Sequence, residues 1–320
     1  MTTATANDCT PSRPSITVLL TSACDHVGLI RCFRDAADAL DITVRFIAAA
    51  PRPRISPACL ISDEFHALPP IDHADFVDQL IRLCVETGVD LVLPGSPLDL
   101  ARLAEARLPL QEMDTTVLTG NPVAIELSRD DAALDSLARS IGAPRLRNGD
   151  AQLRRSTATL SVDLPDAPAP VDPPPLPAER TIVAQMLFDA DGGLLFSGSF
   201  ELIRLSPCVD VATTVDDVRI DAAIRRLTDA IGRMTGPLVA EFVRTGTGTI
   251  HLAAVRPMLS DHYVLVDRAG GGIARWLLAR AAGLADAADF RWTPGLQMMT
   301  YSKPLFFAGG TLDESMSRFA

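Results

Sequence analysis

Lysine is almost absent from this chain of 320 residues, because Lys303 is the only one among 29 basic residues and all the others are arginine. Acidic residues outnumber basic ones by 40 to 29, which gives a net charge of −11. Nucleic acids and anionic membrane surfaces bind to basic protein faces. The charge balance therefore argues against both as partners, and it leaves arginine as the main side chain available to hold a phosphate.

The chain also lacks long apolar runs and paired cysteines. No run approaches the roughly 20 apolar residues of a membrane span, and residues 1–15 are polar, so we expect a disordered tail there and not a signal peptide. The six cysteines form no C-x-x-C pair and have no histidine nearby at zinc spacing. We expect reduced thiols in a cytoplasmic protein, and the abundance of alanine and arginine is typical of a high-GC bacterium.

Motifs of two common enzyme classes are missing as well. The turn after the first apolar run, residues 21–28, contains only Gly28 where a dinucleotide fingerprint needs G-x-G-x-x-G, and the second run ends in Ala-Ala-Ala-Pro at 48–51 without a carboxylate for a ribose. This argues against a nicotinamide-dependent dehydrogenase. No G-x-S-x-G elbow is present, since Ser-Gly-Ser at 197–199 is no substitute, which argues against a serine hydrolase.

The first third of the chain alternates between short apolar runs and amphipathic segments. Such alternation predicts a mostly parallel sheet with helices on both faces, here a Rossmann-like domain over residues 16–120. The expected strands lie at 16–20, 42–49, 91–93 and 115–118.

Residues 121–178 differ in composition from what precedes them. Ser128 and Asp131 fit a capping box, which predicts a linker helix from 128 to 141 within a segment 121–148. The following residues, 149–178, are rich in proline and end in polyproline. Proline removes backbone donors and prevents helix formation, so we expect a loop without regular structure there.

The remainder of the chain predicts an α+β domain with antiparallel strands. Gly-containing turns join two pairs of apolar runs, and hairpins are typical of such spacing. The expected strands lie at 181–188, 194–205, 238–243 and 249–255, with a helix from 218 to about 236 and a last helix from about 270 to 282.

Four groups of residues, taken in chain order and covering about 16–285, resemble the carbamoyl-phosphate-synthase large-chain-like carboxylate–amine ligases of the ATP-grasp superfamily. Each motif alone is weak, but their order and spacing together are specific. The first group is 64–100, in which the strand 89–94 ends in proline, and the second is 128–144, which is similar to R-D-K … G-I-P. The third group, 179–183, is similar to E-Y-T-V-D. The fourth group, 239–257, is similar to v-E/Q-F … l-E-I-N-P-R.

The resemblance implies a pre-ATP-grasp domain at 16–120 and a second ATP-grasp subdomain with a C-terminal tail at 179–320. Residues 149–178 would replace most of the first subdomain. Ligases of this family hold ATP between the two subdomains and join a carboxylate to a nucleophile through an acyl-phosphate. Lysines contact the phosphates, and two carboxylates and an asparagine hold the magnesium ions.

The chain departs from the family pattern at these functional positions. The lysine of the linker helix corresponds to Asp131, and residues 145–178 contain no lysine. Among the metal ligands, Glu241 remains, whereas Ala254 replaces the second carboxylate and Arg256 replaces the asparagine. An acid in place of a lysine repels phosphate.

We therefore expect a non-catalytic pseudo-ligase without a bound cofactor. Its ligand would be a small metabolite, or its partner an active ligase or other biosynthetic enzyme, and an oligomer is compatible with either. We expect Arg256 and Glu241 to form an ion pair in the emptied metal site, or else to reach the cleft together and bind an anionic metabolite.

The main alternative is an active ATP- and magnesium-dependent carboxylate–amine ligase in which arginines replace the phosphate lysines. In that case Glu241 contributes to the cofactor site, and the candidate arginines are Arg145, Arg147, Arg154, Arg155 and Arg204. A third hypothesis is a metabolite-binding protein of unrelated ancestry.

Overall fold

A computed structural model describes residues 13–145, 180–206, 209–284 and 289–301, with two short strands beyond them. The expected loop at 149–178 lies outside the described residues, as do Arg147, Arg154, Arg155 and nearly all of the expected N-terminal tail. Among the described helices, none combines the length and the apolar character that a membrane crossing requires.

The N-terminal domain is a five-stranded parallel sheet in the order β3-β2-β1-β4-β5. The predicted parallel sheet is thus confirmed, with one further strand, β3, at its edge. The strands are β1 (Ser15–Leu20), β2 (Thr43–Ala50), β3 (Glu64–Ala67), β4 (Leu91–Leu93) and β5 (Thr116–Val117), and the helices are α1 (Val27–Ala39), α2 (Pro57–Ile61), α3 (Phe76–Thr87) and α4 (Asp99–Gln111).

Side chains of this sheet alternate between two apolar clusters, as the pleat of a strand requires. Val18 and Phe46 belong to the cluster that contains the buried face of α1, whereas Leu19 and Ile47 belong to the cluster formed with α3 and α4. Helices therefore cover both faces of the sheet. The cluster on the α1 side also contains Phe200 of the second domain, so the two domains share one core.

The linker contains two helices, α5 (Pro122–Leu127) and α6 (Asp131–Ser140), where one was expected from residue 128. Asn121 caps α5 by accepting the amide of Ala124 at 2.7 Å. Asp130 caps α6 by accepting the amide of Ala132, also at 2.7 Å. The predicted capping role of Ser128 is wrong. Asp130 directly precedes α6, has an extended backbone and caps that helix, whereas Ser128 lies at the C-terminal end of α5.

The second domain is a six-stranded sheet in the order β10-β9-β6-β7-β8-β11, and all its pairings are antiparallel, as predicted. Strands β8 and β11 were not expected from the sequence. The elements are β6 (Arg180–Phe188), β7 (Leu194–Ser206), β8 (Val209–Val215), α7 (Val218–Ile231), β9 (Gly236–Arg244), β10 (Ile250–Arg256), α8 (Tyr263–Val266), α9 (Ile273–Ala281) and β11 (Gln297–Met299), followed by the paired β12 (Phe307–Ala308) and β13 (Thr311–Leu312).

A fully buried glutamine, Gln185 on β6, holds the segment that returns from this sheet to the N-terminal domain. Its amide nitrogen donates to the carbonyl oxygens of Leu238 at 3.1 Å and Met258 at 3.3 Å. Its oxygen accepts the amide of Ser260 at 2.8 Å. The segment after β10 is therefore fixed to the centre of the sheet before Tyr263 enters the shared core.

The loops after β1 and β4 are tied together by one buried carboxylate, Asp99. It accepts hydrogen bonds from the hydroxyl groups of Thr21 and Ser22, both at 2.7 Å. Gly95 allows the two loops to touch, because a Cβ atom at this position would lie 2.1 Å from the carbonyl oxygen of Thr21. Only glycine fits here without a shift of the backbone.

Replacing Gly95 with alanine is expected to lower the free energy of unfolding by about 3 kcal/mol, because an extra methyl group has no space between the loops. Gly283→Ala is the matched control, since Gly283 has a φ of +66° and no neighbouring atom within 4 Å. That control tests backbone strain alone and should cost about 1 kcal/mol. Urea unfolding followed by circular dichroism measures both, and equal losses would contradict the packing argument.

Candidate functional site

The residues that the resemblance assigns to magnesium binding lie on one face of β9 and β10. Ala254 is paired directly with Glu241, and Arg256 is paired with Val239. A bulge between Leu252 and Ala254 shifts the register by one residue, which places Arg256 on the same face as Glu241 and diagonally from it.

Arg256 and Glu241 form an ion pair, which confirms the prediction for these two residues. The Nη1 atom of Arg256 donates to Oε1 of Glu241. The side chains are 29% and 27% exposed, so the pair is partly screened from solvent and is held at the surface of the sheet. The carboxylate that the resemblance assigns to magnesium is thus bound by a cation of the same chain.

The side chains present at this position do not fit a magnesium ion. Mg²⁺ binds near-octahedral sets of oxygen ligands, whereas Ala254 offers no ligand and Arg256 brings a fixed positive charge. Across the described ranges, no group of three or more histidine, cysteine, aspartate or glutamate side chains is placed to hold a metal ion.

Asp131 and Arg145, which the sequence placed near the phosphates, pair with each other. The Nη1 atom of Arg145 donates to Oδ1 of Asp131 at 2.7 Å and to its carbonyl oxygen at 3.2 Å. Asp131 also lines a small cavity of about 220 Å³ together with Ala254 and Arg256. Asp131 therefore lies near the two residues that replace metal ligands in the resemblance, and it pairs with one of the candidate arginines.

Arg204, another candidate, is exposed on β7. Strand β7 lies three strands away from β10 in the sheet, which corresponds to at least roughly 14 Å at the usual strand spacing. The structure does not bring Arg204 to the site of Arg256.

A larger cavity of about 990 Å³ lies at the carboxyl ends of β1 and β4. The chain continues from β1 towards β2 on one side and from β4 towards β5 on the other, so the strand order reverses here. Ligands of doubly wound sheets bind at such a switch point. The walls are the loops after β1, β2, β3 and β4 and residues 258–264 of the second domain, so both domains contribute.

The polar groups of this switch-point cavity are well defined. His26 makes a 2.6 Å hydrogen bond through Nε2 to the carbonyl oxygen of Gly95. Burial raises the pKa of the Asp99 carboxyl, and the hydrogen bonds from Ser22 and Thr21 oppose that rise. The hydroxyl oxygen of Ser260 is buried and has no hydrogen-bond partner among the described residues.

Sequence reasoning pointed to only one wall of this cavity. The turn at 21–28 is the place of the dinucleotide fingerprint in related sheets, although it contains only Gly28. Asp99 lies within the segment 64–100 without a predicted role, and Ser260 belongs to no motif. Residues 258–264 reach the cavity through the tertiary contacts of Gln185, which local sequence patterns do not reveal.

Comparison with known proteins agrees with this architecture. Residues 18–118 match the family described as the PylC-like N-terminal domain. No curated protein is significantly similar to the chain in sequence.

Solved structures share the fold over nearly the whole chain. Pyruvate carboxylase from Rhizobium etli matches with a TM-score of 0.60 and 18% identity, covering 89% of this chain and 26% of that chain. The biotin carboxylase domain of 2-oxoglutarate carboxylase from Hydrogenobacter thermophilus, solved with MgADP, ADP and bicarbonate, matches with a TM-score of 0.61 and 14% identity, covering 88% and 73%. The biotin carboxylase subunit of a pyruvate carboxylase gives 0.58 and 16%, covering 89% and 74%.

These likenesses define the class of protein. The chain has the fold of biotin carboxylase domains, with a Rossmann-like N-terminal domain. The fold expected from the resemblance is therefore confirmed. The chain spans 26% of the Rhizobium etli enzyme. It spans 73% of the biotin carboxylase domain from Hydrogenobacter thermophilus.

A double-mutant cycle with Arg256→Met and Glu241→Gln is expected to give a coupling energy of about 1 kcal/mol, since both side chains are largely withdrawn from solvent. The matched control is Arg145→Met with Asp131→Asn, because the Asp131 side chain is 90% exposed. That pair should couple by less than about 0.5 kcal/mol. Equal coupling in the two cycles, measured by urea unfolding, would contradict a screened ion pair at the metal position.

Proposed function

We propose that this protein is a pseudo-ligase, an ATP-grasp fold that binds a small metabolite without catalysing ligation. The observation that carries the proposal is the Arg256–Glu241 ion pair beside Ala254. Together these residues take the place of the three oxygen ligands that the family resemblance assigns to magnesium.

Electrostatics supports the proposal. A guanidinium about 4 Å from a metal position repels each unit of cation charge by about 4 kcal/mol at the effective dielectric of a protein surface. Magnesium with a nucleotide needs the opposite environment, because the ion is held by carboxylates and phosphates together. Arg256 thus acts against the ion that an acyl-phosphate mechanism requires.

The switch-point cavity supports metabolite binding. Its volume of about 990 Å³ lies at the upper end of the roughly 300–1,000 Å³ typical of small-molecule sites. It is separate from the Arg256 position, because the two share no lining residue. Loss of metal binding therefore leaves this cavity intact.

The positions of the two candidate arginines that the structure describes favour this proposal over an active ligase. Arg145 is bound by Asp131, and Arg204 lies across the sheet from Arg256. An active site built on arginines instead of lysines needs these guanidinium groups to converge on one set of phosphates.

Titration calorimetry of the full chain with ATP–Mg²⁺ tests the proposal. We expect no binding at micromolar affinity and no thermal stabilisation, whereas a ligand at a hundred times its dissociation constant stabilises a protein by about 2.7 kcal/mol. Arg145→Ala is the companion variant. Micromolar binding by the wild type that this variant loses would overturn the pseudo-ligase proposal and support the active ligase.

A further inference from the structure

Helix α8 of the second domain packs against α1 of the N-terminal domain. The approach is close, because a Cβ atom at Gly28 on α1 would lie 2.5 Å from Cγ2 of Val264 on α8. Both residues line the switch-point cavity. The contact between the two helices therefore also fixes one side of that cavity.

Two hydrogen bonds, which we call the Tyr263 link, join α9 to the carboxyl of Asp267. The amide of Ala274 donates to the Tyr263 hydroxyl at 2.6 Å, and that hydroxyl donates to Oδ1 of Asp267 at 3.1 Å. Ala274 lies in the first turn of α9, where backbone amides have no partner within the helix, and Gly272 before the helix has no side chain to cap it. The Tyr263 side chain, which is 1% exposed, therefore takes the role of a cap for α9.

Four titratable side chains of the described residues act on the Asp267 carboxyl. Burial raises the pKa of Asp267, and the hydrogen bond from Tyr263 only partly opposes that rise. The carboxylate of Asp35 on α1 adds to the rise, whereas the thiol of Cys32 on α1 and the cation of Arg268 oppose it. Tyr263 and Cys32 stay protonated at neutral pH, because burial raises the pKa of both, in the case of Cys32 to about 12. Asp267 is therefore the member of this buried cluster that loses its proton first as the pH rises.

Ionisation of Asp267 acts against the position of its side chain. A partly buried carboxylate regains hydration when it moves towards solvent, and a neutral carboxyl gains much less from the same movement. Because the pKa in the folded state is raised, the stability that this group contributes is complete below the unfolded value and is lost as the pH rises through the folded value. Movement of Asp267 would also release Tyr263 and, with it, the first turn of α9.

We propose that Asp267 is a proton-controlled latch between the two domains. When its carboxyl is neutral, the Tyr263 link holds α8 and α9 in place against α1, and the wall of the switch-point cavity that includes Val264 is fixed. When the carboxyl is ionised, the link opens more often and this wall loosens. The latch needs no nucleotide or metal, so it goes beyond the proposed function and does not depend on it.

Hydrogen exchange of the Ala274 amide in the full-length protein tests the latch, because this N–H is released when Tyr263 moves. Protection factors, which correct for the pH dependence of chemical exchange, are measured in the wild type and in Asp267→Asn, which cannot ionise at this position. Their ratio isolates Asp267, since all other titrating groups are shared. We expect the wild type to lose protection relative to the variant by at least about threefold between about pH 5 and about pH 8. A ratio that stays constant or rises with pH would overturn the proposal.

The carboxyl itself gives a second readout in the wild type, which does not depend on the folding of a variant. Its carbon-13 signal, assigned through the backbone of Asp267, should titrate at a pH above the ordinary aspartate range, and the amide signal of Val264 should shift with the same midpoint. Asp35→Asn should move both midpoints to lower pH, because a neighbouring negative charge is lost. Asp38→Asn, an exposed position on the same helix, is the matched control and should leave both midpoints in place. An ordinary midpoint for Asp267, a Val264 signal that does not follow it, or equal effects of the two variants would contradict the latch.

Discussion

One buried amide, Gln185, fixes the geometry of both sites. It lies on β6 between β9 and β7, and it binds the backbone of Met258 and Ser260 directly after β10 ends. A buried glutamine is stable only when its donors and acceptor are paired, so this segment has one well-defined path. Arg256 is thereby held over the sheet beside Glu241, and the next residues continue into the wall of the switch-point cavity. The shared apolar cluster, which contains Tyr263, continues this connection to the N-terminal domain.

The two sites follow a common physical pattern in which the chain supplies its own counter-charge. Arg256 pairs with the carboxylate that the family resemblance assigns to magnesium, and Asp99 pairs with the donors that a switch point would offer to a phosphate. In each case a charged side chain of the protein occupies the partners that a bound magnesium ion or phosphate would require. In the proposed pseudo-ligase the fold supplies the cores and the cavity, and the function is binding instead of catalysis.

The sequence predicted the sheets and the ion pair well, because both depend on strand periodicity and on the order of short motifs. Glu241 and Arg256 could be paired in advance, since a hairpin brings their strands together whatever the rest of the chain does. The bulge that sets them on a diagonal was not predictable from local patterns. The cap at Asp130 was missed because Ser128 offers a similar signal, and the choice depends on tertiary position. The cavity was beyond sequence reasoning, since five separate segments form it.

Rebuilding the metal ligands tests the central claim most directly, which is that Arg256 and Ala254 have displaced magnesium. The variant Arg256→Asn with Ala254→Glu frees Glu241 and restores two carboxylates and an amide on one face of the β9–β10 pair. Binding of Mn²⁺, as a paramagnetic substitute for Mg²⁺, is measured by electron paramagnetic resonance in the wild type, in Arg256→Asn alone and in the double variant. The account predicts at least tenfold tighter binding in the double variant than in the wild type, with the single variant in between. Equal binding by the wild type and the double variant would contradict it.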